Sequence, residues 1–257
     1  MTPMRILCEA RSDVGRKRKG NEDSLFLNPE HRLYVVADGM GGHAAGEVAS
    51  RVAVDAINEF VILTGGNHEI TWPFGLDDSI SYEGNRLKTA IRQANRRVLE
   101  TTRESAEYEG MATTVAAVLV DGDEANLAHV GDSRIYLWSG EQISLLTSDH
   151  SWVNEQIQSG VISPEQARSH PLRNVVTRAL GGRADLVVDV QSRRMAKGDV
   201  LLLCSDGLTT MIGDEDIARI LGEARADIAR AATALVAEAN ERGGEDNITV
   251  VLLRFEE

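Results

Sequence analysis

Between Thr113 and Leu146 the chain reads TTVAAVLVDGDEANLAHVGDSRIYLWSGEQISLL. Apolar, β-branched runs at Thr113–Val120, Asn126–Val130 and Arg134–Trp138 are separated only by the turn-forming stretches VDGDEAN and GDS, with SGEQ after the last. A parallel pair of strands needs a crossover of about a dozen residues or more. These connections are far too short for that, so the segment can fold only as antiparallel neighbours. Further strands are expected at Ser24–Leu27, Leu33–Ala37, Leu186–Gln191, Val200–Cys204 and Ile248–Phe255, each apolar and bounded by turn residues.

Helical periodicity appears elsewhere. Val48, Val52, Ala56, Ile57 and Phe60 form one face of Glu47–Val61. Leu87, Ala90, Ile91, Ala94, Val98 and Leu99 do the same for Asn85–Thr101, and Ile228, Ala231, Ala232, Leu235, Val236 and Ala239 for Arg225–Glu241. Shorter helices are expected at Trp152–Ser159, after Pro164 and at Asp214–Leu221. Helices in pairs between runs of strands favour an α+β fold over a doubly wound sheet. No repeat, heptad array or Pro/Gly/Ser-rich linker divides the 257 residues, so residues 1–257 are read as a single domain. The connection Thr64–Gly84 is long for two neighbouring helices and should cover a surface or serve a purpose of its own.

Bulk properties narrow the function classes. Hydrophobic residues make up 42% and aromatics 4%, so an aliphatic core is available. A net charge of −13 argues against nucleic acid or an anionic membrane as partner. Cys8 and Cys204 lie far apart and in no metal-ligand spacing, which excludes a disulfide scaffold and fits a reducing cytoplasm. No apolar stretch approaches the ~18 residues of a membrane span, and MTPMRILCEA carries no signal-peptide core. No coiled coil suggests assembly, and a monomer is the default.

The acidic residues fall at strand ends. Asp38 closes YVVA, and four glycines follow within eight residues. Asp206 closes VLLLCS and precedes Gly207; Asp132 follows LAHVG; Asp246 precedes the last strand; Glu22 and Asp23 precede an early one. Each alone is an ordinary turn or cap residue. If several converge, their carboxylates repel unless cations neutralise them. Oxygen ligands without Cys or His clusters then point to Mg²⁺ or Mn²⁺. Arg18, in GRKRKGNED, would suit a phosphate, though a basic turn in solvent accounts for it equally well.

SDVGRKRKGNEDS, VVADGMGGHAAGEVAS, GMATTVAAVLV, AHVGDSRIYL, LTSDHSWV, HPLRNVVTRALGG, LLLCSDGLTTMI and GGEDNITVVLL occur in this order from Ser12 to Phe255. This ordered set closely resembles the metal-dependent protein phosphatases of the PPM family, the protein phosphatase 2C type, in its bacterial form. The resemblance implies a four-layer α-β-β-α sandwich, two antiparallel sheets flanked by helix pairs, with a metal centre at one sheet edge. It implies hydrolysis of phosphoserine and phosphothreonine by a hydroxide bridging two Mn²⁺ or Mg²⁺ ions, opposing a bacterial serine/threonine kinase and acting on its phosphoprotein substrates.

Carried over position by position, Asp38 would bridge the two metals and the Gly39 carbonyl would bind one of them. Asp206 and Asp246 would complete the other ion's shell, and Glu22 and Asp23 would hold metal-bound waters. Asp132, shared with Asp206, would hold a third, weaker ion. Arg18 would bind the substrate phosphate. Relatives with a histidine directly after Asp-Gly have Met40 in its place here, so His43 is the candidate general acid. Asn247 would orient Asp246 or cap its turn. Asp149–Arg178 corresponds to a mobile flap beside the cleft that contacts protein substrates.

Other residues read as structural. His129 and His150 should serve in hydrogen bonds, His170 in a turn before Pro171 and Arg178 in an ion pair, with Trp72, Trp138 and Trp152 as packing residues. Ala112 stands where the family usually has glycine, at a strand entry away from the chemistry. Two other readings remain in contrast: a binding module that keeps the fold without turnover, and a phosphohydrolase of small molecules. Retention of Asp38, Asp132, Asp206, Asp246 and Arg18 speaks against the first.

Overall fold

Strand β3 (Leu33–Met40) shows how the molecule is layered, because every residue from Leu33 to Ala37 is buried. A strand buried on both faces must be covered on both, and its sequence then reads as a continuous apolar run. In the computed structural model, which describes residues 4–41, 45–66, 72–225 and 227–256, Tyr34 and Val36 face one cluster while Leu33, Val35 and Ala37 face another.

The first sheet has the order β2 (Asp23–Asn28), β3, β5 (Val115–Asp121), β6 (Glu124–Val130) and β9 (Asp189–Arg194), with the short β4 (Ala112–Thr113) also pairing with β3. The second has the order β1 (Arg5–Asp13), β11 (Ile248–Glu256), β10 (Val200–Cys204), β7 (Arg134–Ser139) and β8 (Gln142–Leu145). All pairings are antiparallel. Between the sheets, Tyr34, Val36, Val118 and Leu127 meet Ile135, Leu201, Leu203, Val251 and Phe255.

The outer faces are covered by helix pairs. On the first sheet lie α1 (Ala45–Thr64) and α2 (Tyr82–Thr102), burying Ile57, Leu87 and Ile91. Ala45, Ala49 and Ala53 recur every fourth residue on α1, and their small side chains let it pack close against its neighbours. On the second sheet lie α6 (Asp214–Ala224) and α7 (Ile228–Glu241), whose Ile217, Leu221 and Leu235 pack on Leu202, Cys204 and Leu252. The short α3 (Trp152–Gln158) and α4 (Pro164–Arg168) lie in the flap, and α5 (Asp206–Thr209) follows β10 directly. The fold is therefore the expected α-β-β-α sandwich. No helix among the described residues is long and apolar enough to cross a membrane.

Three expectations need correction. The strand expected at Leu186–Gln191 runs over Asp189–Arg194 instead. Leu186 and Val188 are apolar because they pack into the α1/α2-side cluster, and the chain joins the sheet only where Asp189 pairs with His129. Strands β1 and β8 were not expected from the sequence; both lie at sheet edges and mix polar with apolar residues. Helix α7 begins at Ile228, capped by the Asp227 carboxylate on the Arg230 N–H, rather than at Arg225. In the Thr64–Gly84 connection residues 67–71 lie outside the described set, while Asp77 ties the remainder to α2 through Asn85 and Lys88.

Candidate active site

One edge of the sandwich collects the acidic strand ends. Asp38 lies near the end of β3, Asp23 opens β2, Asp132 links β6 to β7, Asp206 follows β10 and Asp246 precedes β11. Asp23 and Asp38 are direct cross-strand partners. Like charges opposite one another in an antiparallel pair destabilise it, so something beyond the fold must favour this arrangement.

The two Asp-Gly steps are built alike. A methyl group at Gly39 would collide with the Gly46 carbonyl at the start of α1 and with the Glu22 carbonyl. One at Gly207 would collide with the Asn247 carbonyl. Each glycine lets a neighbouring backbone press against the aspartate beside it. The Asp38 main chain is pinned by Thr114, whose Oγ1 accepts from the Asp38 N–H at 3.1 Å and whose own N–H donates to the Asp38 carbonyl at 2.9 Å. Thr114 Oγ1 also meets Ser133 Oγ at 2.6 Å, beside Asp132.

Electrostatically the cluster is compensated only in part, by Arg18 and Arg134. Burial pushes the Asp23 carboxyl up to about 7, with Asp206 and Asp246 adding to the rise against hydrogen bonds from Thr249 and Ser205. Asp132 is also raised to about 7, by burial and then by Asp206 and Asp149. Asp38 lies well above the ordinary range through burial and the charges of Asp23, Asp206, Asp132 and Asp246. Asp206 is raised by burial and Asp246, although it shares a hydrogen bond with Asp38. Asp23 Oδ2 accepts from Ser205 Oγ at 2.8 Å, but its Oδ1 is buried with no partner. An all-oxygen, negatively charged donor set with an orphaned carboxylate oxygen suits hard divalent cations.

Arg18 stands over this edge. Its guanidinium donates to Asp246 Oδ2 at 2.7 Å and lies 3.8 Å from Glu22 Oε2, with nearly half of the side chain open to solvent. The loop that carries it is anchored by Asn247. The Asn247 amide donates to the carbonyls of Val14 and Gly20, both at 2.9 Å, and its Oδ1 accepts from the Glu22 N–H at 2.8 Å. The Asn247 side chain therefore braces the Arg18 loop, while Asp246 Oδ1 accepts from the Asn247 main-chain N–H at 2.8 Å. Sequence reasoning missed Thr114, Ser205 and this role of Asn247. The GEDN stretch marked the asparagine, but nothing local connects it to Val14 or Gly20. His43, the candidate general acid, lies outside the described residues.

Beside the carboxylates lies a second polar cluster. His129, His150 and Asp189 bring one donor atom each within 4.8 Å of one another. The His150 Nδ1 accepts from the Gly131 N–H at 3.1 Å, so its proton sits on Nε2, facing Asp189 Oδ2 at 3.1 Å. A cation at Nε2 would displace that proton while Nδ1 must stay bare, leaving an imidazolate. The cluster is a closed hydrogen-bond network: His129 Nε2 donates to the Ser148 carbonyl at 2.9 Å and Arg178 pairs with Asp189 at 3.0 Å. Burial lowers the pKa of both histidines. Elsewhere Trp152 stacks on His170, Trp72 meets Tyr82 edge-on and Trp138 packs on the α6/α7-side core. Ala112 pairs with Met40, next to Gly39, closer to the site than its strand-entry position suggested.

Comparison with known proteins agrees with this architecture. The family model described as protein phosphatase 2C matches residues 16–243. The serine/threonine phosphatase Stp of Listeria monocytogenes serotype 4b is 38% identical over 252 residues, covering 95% of this chain and 94% of its own. A solved structure of the Mycobacterium tuberculosis serine/threonine phosphatase PstP superposes with a TM-score of 0.85 at 36% identity, over 98% of this chain and 99% of that one. A PstP catalytic domain in complex with two manganese ions does so with 0.84 at 33% identity, over the full length of both. The chain belongs to the protein phosphatase 2C family of serine/threonine phosphatases, in its bacterial form.

Proposed function

We propose that this chain is a Mn²⁺- or Mg²⁺-dependent enzyme that removes phosphate from phosphoserine and phosphothreonine in cytoplasmic proteins, opposing a bacterial serine/threonine kinase by acting on that kinase and its substrates. The observation that carries the reading is the convergence of Asp23, Asp38, Asp132, Asp206 and Asp246 at one edge of the sandwich, beside Arg18, with the carboxyl pKa values of Asp23, Asp38, Asp132 and Asp206 raised. Asp38, the Gly39 carbonyl, Asp206 and Asp246 would hold two cations, with Glu22 and Asp23 completing the acidic set and Asp132 serving a third. The manganese in the PstP complex supports that choice of ion. Bound there, the ions supply a water of lowered pKa as nucleophile and offset the charge of the phosphoryl group.

The chain's own residues do the rest. The half-exposed Arg18 fork can turn from Asp246 to two phosphoryl oxygens. The Thr114 and Asn247 braces hold the carboxylates and the Arg18 loop in place before substrate arrives, so little reorganisation is left for the reaction. Neither cysteine supports a covalent route. Cys204 is buried, and that burial pushes its thiol up to about 12, while Cys8 sits on the edge strand β1 away from the acidic cluster. Exposed Val161, Leu172 and Val175 on the flap suit contact with a protein substrate. The whole of residues 1–257 would act as one phosphatase domain, as a monomer.

The test is hydrolysis of a phosphothreonine peptide with and without Mn²⁺. Metal-dependent turnover that disappears in Asp206→Asn supports the reading. Metal binding without turnover would point to a non-catalytic binding module instead. For His43, the expected result of His43→Gln is a larger fall in kcat on phosphopeptides than on p-nitrophenyl phosphate, whose leaving group needs no proton. Equal losses would remove it as the acid.

A further inference from the structure

The flap leaves the sandwich and returns to it over three residues, His150 to Trp152. On the outgoing side His150 begins the segment that leads into α3; on the return, the Thr177 N–H donates to the His150 carbonyl at 2.8 Å. Val176 bridges to Ser151, and the Trp152 N–H donates to the Val175 carbonyl at 2.8 Å. His150 also grips the turn that carries Asp132. Its N–H donates to the Gly131 carbonyl at 2.9 Å and its ring Nδ1 accepts from the Gly131 N–H at 3.1 Å.

Gly131 needs this grip. Its φ of +105° is a conformation that side chains rarely adopt, and a methyl group there would collide with Thr114. A glycine so placed has no intrinsic preference to hold it, so the two bonds from His150 fix its peptide planes and hence the direction in which Asp132 leaves the chain. The ring is itself locked: stacked on His129 at 4.6 Å, buried to all but 4% of its surface, and donating from Nε2 to Asp189, which also pairs with Arg178 at the flap's return.

We propose that His150 is a positioning residue that couples the flap to the cation site at Asp132, so that seating of the flap and binding of a cation there depend on each other. The proposal rests on the reading of Asp132 as a cation ligand. Gly131 is the point of transmission. When the flap lifts, the His150 main chain moves with it and releases Gly131. When Asp132 is engaged, Gly131 is held and the flap's two ends stay closed on His150. Such coupling is reciprocal by necessity.

The two ring bonds can be cut separately. His150→Asn keeps an acceptor near the Nδ1 position, for Gly131, and loses the reach to Asp189. His150→Gln keeps a donor near the Nε2 position, for Asp189, and loses the Gly131 bond. Calorimetric titration with Mn²⁺ alone, together with amide exchange at Trp152 and Thr177, reads both sides of the coupling. His150→Gln is expected to weaken the weaker Mn²⁺ phase about tenfold, the lower end for groups that orient a ligand, and to speed exchange at both amides. His150→Asn should restore the metal phase to within about twofold of wild type.

Equal losses in both variants, or no loss in His150→Gln, would overturn the proposal. Asp132→Asn separates the two readings. If it leaves the weaker phase intact, Asp132 is no ligand and the proposal falls with that reading. If it removes the phase while His150→Gln does not alter it, only the coupling falls. Should His150→Gln fail to fold, the wild type decides. Filling the weaker Mn²⁺ phase must slow exchange at Trp152 and Thr177, and unchanged rates overturn the coupling.

Discussion

Two buried clusters of titratable side chains lie side by side in this molecule, and they differ in whether they close on themselves. In the cluster of His129, His150, Asp189 and Arg178, the side-chain donors of His129, His150 and Arg178 meet acceptors, and burial lowers the pKa of both histidines. In the cluster of Asp23, Asp38, Asp132, Asp206 and Asp246, five carboxylates crowd together, with Arg18 as a cation at its rim. Both contain residue types that ligate metals. Satisfaction separates them, since a network that is already paired has nothing to offer an ion, while surplus negative charge asks for one.

The largest effect is expected at Asp38. Asp38→Asn should lower metal-dependent turnover of a phosphothreonine peptide by about 10³-fold or more, the scale of losing several kcal/mol of charge stabilisation. A loss below tenfold would mean that the acidic cluster is not the reactive one. The next effect is at Arg18. Arg18→Ala should cut kcat/KM by about 10²-fold, and Arg18→Lys should recover only part of it, because an ammonium cannot fork to two oxygens. Full recovery by lysine would make Arg18 a simple counter-charge.

A third effect concerns stability and separates the clusters by sign. Asp23 and Asp132 titrate near 7 in the fold and near 3.8 when unfolded. Over that interval the folded state holds the extra protons. Stability of the metal-free protein should therefore fall as pH rises from about 4 to 7, by up to about 1.4 kcal/mol per pH unit for each proton held. Mn²⁺ should flatten that slope, which denaturant melts across the interval would show. A metal-free protein that gains stability over this range would contradict the account. The smallest effect belongs to the paired cluster. Asp189→Asn still accepts from His150, so it should change stability by less than about 1 kcal/mol and leave turnover within about twofold.

Much of the layering was legible because both faces of the central strands are covered. The apolar runs at Val200–Cys204 and Ile248–Phe255 appear as strands within a residue of their expected bounds. The paired helices were legible for the same reason, as their buried faces recur at helical spacing. Strand β1 was not, since RILCEARSD sits at a sheet edge where the pattern carries no strict alternation. The acidic strand ends were visible as a recurrence, and the Asp-Gly pairs as places where backbones approach. What held them was not. Asn247 reaches Val14 and Gly20 across more than two hundred residues, and His150 reaches both Gly131 and Asp189, contacts that no local spacing announces.

The most direct measurement is calorimetric titration of the metal-free protein with Mn²⁺ near pH 6.5, repeated in two buffers of different ionisation enthalpy. At least two ions should bind, with release of protons, because Asp23 and Asp132 are partly protonated there. Binding should be lost or greatly weakened in Asp38→Asn and retained in Asp189→Asn. Binding that survives Asp38→Asn and disappears in Asp189→Asn would show that the ions sit at the histidine cluster and not among the carboxylates.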